Sequence, residues 1–184
     1  VPPFNLPGAV KFNDALREGS RHQLNRADLT MDDIACLQYT GGTTGVAKGA
    51  MLTHRHLVAN MLQAKQWIGS AELGKDREYA IAALPLYHIF ALTANCFAMM
   101  AMGATNVLVT NPRDMEGFVK ELSNVPFSFF PGVNTLFNSL LNTPGFAELD
   151  FSTLKVTLGG GMAVQRAVAE QWKEVTGNPL IEAY

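Results

Sequence analysis

Apolar positions along the chain change period several times, and each change marks an element. Ala80-Ile81-Ala82-Ala83-Leu84 is an unbroken apolar run, the pattern of a strand covered on both faces. Leu136, Leu140 and Leu141 recur at helical spacing until Pro144-Gly145 stops them. Ala163, Ala167, Val168 and Trp172 share another helical face, stopped by Gly177-Asn178-Pro179. Asn111-Pro112-Arg113-Asp114 places proline and acid where a helix begins. Strands are therefore expected near 34–39, 49–52, 78–83, 105–109, 127–130, 155–158 and 180–184. Helices are expected near 54–67, 89–102, 114–123, 132–142 and 163–176. From residue 78 onward the two alternate, which predicts right-handed βαβ units and an α/β fold on a mostly parallel sheet. Residues 1–30, opening with Val1-Pro2-Pro3, are expected to be a linker ahead of a domain over 31–184. Such sheets bind ligands beyond the carboxyl ends of their strands, so motifs that follow strands are the candidates for function.

One stretch bears on the membrane. Between Tyr79 and Pro112 no side chain carries a charge except His88 when protonated. A spanning helix needs about 20 apolar residues. Pro85, His88, Thr93, Asn95, Gly103 and Asn106 interrupt this stretch, which divides into strand, loop, helix and strand. Buried core is the expectation, with the helix from Ile89 to Met102 a candidate wall for an apolar substrate channel.

Composition narrows the class. A chain of 184 residues suggests one domain at about 150 residues each. With 48% hydrophobic and 16% charged residues it is neither disordered nor collagen-like. Its 14 basic and 16 acidic residues argue against a nucleic-acid domain built on a basic surface. Cys36 and Cys96 have no partner at metal-ligand spacing and form no disulfide framework, which suits buried thiols in a reducing compartment. No basic region followed by an apolar segment opens the chain, so a cytoplasmic location is expected. Val1 in place of methionine, and the stop at Tyr184, predict a piece of a longer protein.

The segment richest in chemistry is Tyr39-Thr40-Gly41-Gly42-Thr43-Thr44-Gly45-Val46-Ala47-Lys48-Gly49. It follows a predicted strand and holds four glycines, three threonines and one lysine. Glycines let amide N–H groups approach an anion, threonine hydroxyls add donors, and Lys48 adds positive charge. Together they suit a polyphosphate. A Walker A loop needs glycine directly before its lysine, and Ala47 stands there instead. Gly159-Gly160-Gly161 followed by Val164 fails the dinucleotide fingerprint at its third glycine. A plain hairpin turn is the competing account, but a turn needs neither three threonines nor a lysine.

Thr40 to Gly49 resembles the phosphate loop of the adenylate-forming superfamily, whose usual pattern is T-S-G-T-T-G-x-P-K-G. Gly42 replaces the usual serine and removes a hydroxyl donor, and Ala47 replaces the usual proline. Both variants, with Ala50-Met51-Leu52-Thr53-His54 after them, resemble bacterial long-chain fatty-acid–CoA ligases. So do Leu84 to Thr93, Thr110 to Asp114 and Gly132 to Asn138. The resemblance runs from about Asp33 to Tyr184.

It implies a three-layer fragment of the large N-terminal domain, with helices on both faces of the sheet. It implies an ATP- and Mg²⁺-dependent ligase that joins a long-chain fatty acid to CoA through an acyl-adenylate. Thr40, Gly41, Gly42, Thr43, Thr44, Gly45 and Lys48 would hold the β- and γ-phosphates. Gly159, Gly160 and Gly161 would lie against the adenylate and acyl carboxylate. Tyr184 would stack on adenine as the first residue of a Y-G-x-T-E motif, and the Mg²⁺ ligands would lie outside this chain. His88, in Pro85-Leu86-Tyr87-His88, would position the carboxylate near the α-phosphate. Phe90 and Leu92 would begin the acyl channel. Peripheral contact with the inner membrane face would suit a substrate delivered from a bilayer.

Other features carry less. His54 and His56 are two apart, off a common helical face, so no metal site is expected there. Thr53 is a candidate helix N-cap. Alternatives stay open: a non-catalytic nucleotide- or acyl-binding module, a membrane-inserted protein, an amino-acid adenylation domain, or a luciferase-like oxidase. The 184-residue chain alone is expected to form no acyl-adenylate.

Overall fold

The structure, a computed structural model, describes residues 7–40, 47–69, 73 and 77–183. The chain divides into two compact units, Val1–Met31 and Asp32–Tyr184. The first holds α1 (Phe12–Gly19), a helix absent from the sequence expectation. Its apolar residues Phe12, Ala15 and Leu16 share one side of the helix, yet none of its residues is buried. Local pairs support it instead: Asp14 with Arg17 at 2.7 Å, and Glu18 with Arg21 at 3.2 Å.

The second unit begins with an antiparallel hairpin, β1 (Ile34–Thr40) and β2 (Lys48–Thr53), paired from Ile34↔Thr53 to Thr40↔Lys48 with a register shift between Ile34 and Cys36. The chain passes straight from β2 into α2 (His54–Gly69). Thr53 caps that helix as expected: its Oγ1 accepts from the His56 N–H at 3.4 Å, and His56 Nδ1 accepts from the Thr53 N–H at 3.1 Å. This reciprocal pair has the form of a capping box, with histidine in the role usually held by glutamate. Arg55 binds both carboxylate oxygens of Asp32, at 2.9 and 3.2 Å, and holds the Asp32 carboxyl below the usual carboxylate range.

A five-stranded parallel sheet follows, in the order β4-β3-β5-β6-β7. Its strands are β3 (Tyr79–Ala82), β4 (Thr105–Leu108), β5 (Phe129–Gly132), β6 (Val156–Gly159) and β7 (Leu180–Glu182). Between β3 and β4 lies α3 (Ile89–Ala91), which continues into a π-helical stretch, Leu92–Met99. The other crossovers are α4 (Met115–Leu122), α5 (Asn134–Leu141) and α6 (Arg166–Thr176). From β3 the chain crosses to β4 on one side, and from β5 it crosses to β6 on the other. Right-handed crossovers in opposite directions put their helices on opposite faces. One face packs Ile68, Ala94, Ala98 and Met99 on Ala80, Phe129, Val156 and Leu158. The other packs Phe118, Leu122, Phe137, Leu140 and Trp172 on Ile81, Phe130 and Leu180. This is the expected three-layer α/β architecture.

The strand order reverses between β3 and β5, and these two strands share a single register pair, Ala80↔Phe129. Past it they part. Two sequence features exploit the gap. The Ile81 carbonyl accepts from Asn95 Nδ2 at 3.1 Å, from the helix above. Pro131, which has no N–H to give, can occupy β5 because its neighbour Gly132 already turns its carbonyl to β6, leaving Pro131 on the side β3 has left. That is why β5 runs to Gly132 rather than ending near 130.

The segment expected as an α-helix over 89–102 is thus π-wound in its middle. Asn106 Nδ2 donates to the Asn95 carbonyl at 3.0 Å, and an outside group inserted in the main-chain ladder is a known cause of such irregularity. Among the described residues no helix is long and apolar enough to cross a membrane. The uncharged stretch from Tyr79 resolves into β3, this helix and β4, with Ala80, Ile81, Ala94, Ala98 and Met99 buried.

Candidate functional site

The carboxyl ends of β3, β5 and β6 lie together because the strands are parallel, and the gap between β3 and β5 opens there. Crevices of this kind, at the reversal of strand order, are where open α/β sheets hold ligands. The loop after β3 carries His88. Its N–H donates to the Pro85 carbonyl at 2.9 Å, and its Nδ1 accepts from the Phe90 N–H at 3.3 Å, so His88 caps α3. A neutral imidazole that accepts at Nδ1 carries its proton on Nε2. The exposed ring therefore offers a donor at Nε2.

The loop after β6 is the glycine turn. Gly160 N–H donates to the Gly132 carbonyl at 3.0 Å, and the Gly159 carbonyl accepts from the Ala183 N–H at 2.7 Å. Gly161 has φ +75°, a conformation side chains disfavour. A β-carbon at Gly160 would lie 3.0 Å from the Phe90 ring, two residues from His88. Thus the turn and the histidine loop touch through Phe90. Among the described residues the amides of Gly161, Met162 and Ala163 have no hydrogen-bond partner, and all three residues are exposed. Successive unpaired amides of this sort attract anions.

Behind this group lies a cavity of about 560 Å³. Trp67 and Ile68 of α2, Phe90 and Ala94 of the π-wound helix, and Leu158 of β6 give it an apolar wall, with Thr93 and Gln63 among its few polar groups. Apolar clefts with a small number of polar groups are the usual form of small-molecule sites.

The remaining sequence candidates are placed less fully. Lys48 is exposed at the start of β2, opposite Thr40 in the hairpin register. The two therefore bracket the predicted phosphate loop. Gly41, Gly42, Thr43, Thr44 and Gly45 lie outside the described residues, as does Tyr184. Among the described residues no hydrogen bond or ion pair joins Lys48 to the His88 and glycine-turn group. Sequence reasoning missed Glu182 and Asn134, which hold the exit of the glycine turn. Asn134 lies in the Gly132–Asn138 segment and Glu182 two residues before Tyr184, but neither segment points to a contact with the turn, and only the parallel register brings them there.

The sequence matches the AMP-binding enzyme family over residues 5–184, and the chain belongs to it. Over its whole length it is 54% identical to the long-chain-fatty-acid–CoA ligase of Haemophilus influenzae and 53% identical to that of Salmonella typhimurium, covering 33% of each. The chain thus spans about a third of the length of the curated relatives it matches. Among solved structures, the anthranilate CoA ligase AuaEII in complex with anthranoyl-AMP has a TM-score of 0.73 at 24% identity, over 96% of this chain and 34% of that one. Apo MatB from Rhodopseudomonas palustris has a TM-score of 0.71 at 24% identity, over 88% of this chain and 31% of that one. These two likenesses concern the fold.

Proposed function

We propose that the full-length protein is an ATP-dependent long-chain fatty-acid–CoA ligase and that this chain supplies part of its adenylation site. The observation that carries this is the meeting, through Phe90, of the glycine turn, the His88 loop and the apolar cavity. The identity to ligases of that name supports the choice of substrate.

The chemistry has two steps. A fatty-acid carboxylate oxygen attacks the α-phosphorus of ATP and pyrophosphate leaves. The CoA thiolate then attacks the acyl carbon and AMP leaves. The cavity takes the alkyl chain and excludes water. His88, donating from Nε2, orients the carboxylate; with Nδ1 committed to the helix cap, it acts by position rather than by taking a proton. The Gly161–Ala163 amides face the charge that grows on the acyl phosphate. Lys48 and the loop it closes, Thr40 to Gly45, take the outer phosphates, and Tyr184 takes adenine. Following the family resemblance, Mg²⁺ is assigned to the phosphates and to residues outside this chain. The enzyme works in the cytoplasm, with peripheral contact at the inner membrane face where its substrate partitions.

The test is acyl-CoA formation by the full-length protein across a series of fatty acids, with pyrophosphate release compared for palmitate and amino acids. Long-chain acyl-CoA is expected. Pyrophosphate release driven by an amino acid and not by palmitate would refute the assignment.

A further inference from the structure

Two side chains from different elements converge on adjacent amides at the exit of the glycine turn. Glu182, the last residue of β7, is exposed, and its Oε1 accepts from the Val164 N–H at 3.1 Å. Asn134, at the start of α5 and only 5% exposed, accepts at Oδ1 from the Gln165 N–H at 2.8 Å. Glu182 also lies beside Gly159 in the strand register, and the next residue, Ala183, bonds the Gly159 carbonyl. β7 therefore grips the turn at both ends, by main chain at Gly159 and by side chain at Val164.

The physics favours a carboxylate there. Val164 and Gln165 precede α6, and amides at a helix start lack partners within the helix. A negative group is stabilised by the helix dipole at that end, and an ionised acceptor binds more strongly than a neutral one. With those two amides occupied, the unpartnered donors of the turn itself are those of Gly161, Met162 and Ala163. Their direction depends on the grip behind them.

We infer that Glu182 is a positioning residue, with Asn134 as the second anchor. It holds the turn so that the Gly161–Ala163 amides meet the anionic group of the bound nucleotide. The identity of that anion rests on the ligase function proposed above; the grip itself does not.

The experiment compares Glu182→Gln and Glu182→Leu in the full-length protein. Glutamine keeps an oxygen acceptor of the same reach, whereas leucine keeps similar volume and loses it. Three quantities are measured: amide exchange over 159–165, ATP affinity with pyrophosphate-release kinetics on palmitate, and the thermal midpoint. In the leucine variant, Val164 exchange should rise and ATP affinity or kcat/KM should fall, each about tenfold. Glutamine should restore most of both, and the midpoints should stay within about 2 °C of one another. Unchanged exchange in the leucine variant overturns the grip. Faster exchange with unchanged ATP affinity and kinetics overturns the positioning role. A glutamine variant as impaired as leucine overturns the acceptor account. If the wild-type protein releases no pyrophosphate with palmitate, the ligase assignment falls, while exchange and ATP affinity still decide the role of Glu182.

Discussion

The ring of Phe90 rests on Gly160: a β-carbon at that position would stand 3.0 Å from both Cε1 and Cζ of the ring. Phe90 N–H in turn holds His88 Nδ1. Gly160→Ala must therefore push the ring aside and, with it, the start of the helix that orients His88. Acyl-adenylate formation in the full-length protein should fall by one to two orders of magnitude, on the order expected when reacting groups are displaced by about 1 Å. Adding Phe90→Leu should recover part of the loss. Pyrophosphate release measured for both variants checks this.

Lys48 stands exposed at the mouth of the hairpin, paired in register with Thr40, and its ammonium has no ion-pair partner among the described residues. Lys48→Ala should leave the thermal midpoint nearly unchanged, since an exposed side chain away from a cap contributes little to stability. ATP KM should rise about tenfold, the cost of one charge-assisted contact to phosphate. Equal ATP KM in the two proteins would remove Lys48 from the nucleotide site.

At the other end of the sheet, Lys155 reaches the carboxylate of Glu78 at 2.8 Å, and the Glu78 side chain is 2% exposed. Lys155→Met would remove this ammonium contact from a buried carboxylate. Breaking a buried pair from one side costs about 3 kcal/mol. Denaturant unfolding should show a loss of this size, while replacing both residues with apolar ones should restore much of it.

Asp32 supplies a pH-dependent contribution with a definite sign. Its hydrogen bonds from Arg55 and the guanidinium charge lower its pKa in the folded chain. The stability it adds is present above the unfolded value of about 3.9 and is lost as pH falls through the lower folded value. The stability difference between wild type and Asp32→Asn should therefore be level from neutral pH to about pH 5 and shrink as pH falls through the lowered folded value. An increase in that difference on acidification would contradict the pairing.

Much of this fold is legible in the sequence because a parallel sheet writes itself in plain terms. Buried strands such as Tyr79–Ala82 read as apolar runs, and α6 reads through Val168 and Trp172 on one face and its stop at Gly177. His88 and the turn at Gly159 follow strands as the pattern requires. Three features are not legible, each for a physical reason. The helix Phe12–Gly19 is short and follows a proline-rich opening, and its apolar residues Phe12 and Leu16 stay exposed instead of joining a core. The π-winding of Leu92–Met99 depends on Asn106, which is distant from Asn95 until β4 is in place. The grip of Glu182 and Asn134 on α6 joins residues far apart in the chain. Local pattern reports periodicity; it does not report which carbonyl or amide a remote side chain will find.

The strand order ends in β4 on one flank and β7 on the other. Each presents a rim of main-chain donors and acceptors available for pairing among the described residues, and Leu108 on β4 is 58% exposed. Such rims recruit further strands, from the same polypeptide or from a neighbour. Produced in isolation, these 184 residues would be prone to stack flank to flank into insoluble material, and lysine placed along β4 would be the economical remedy.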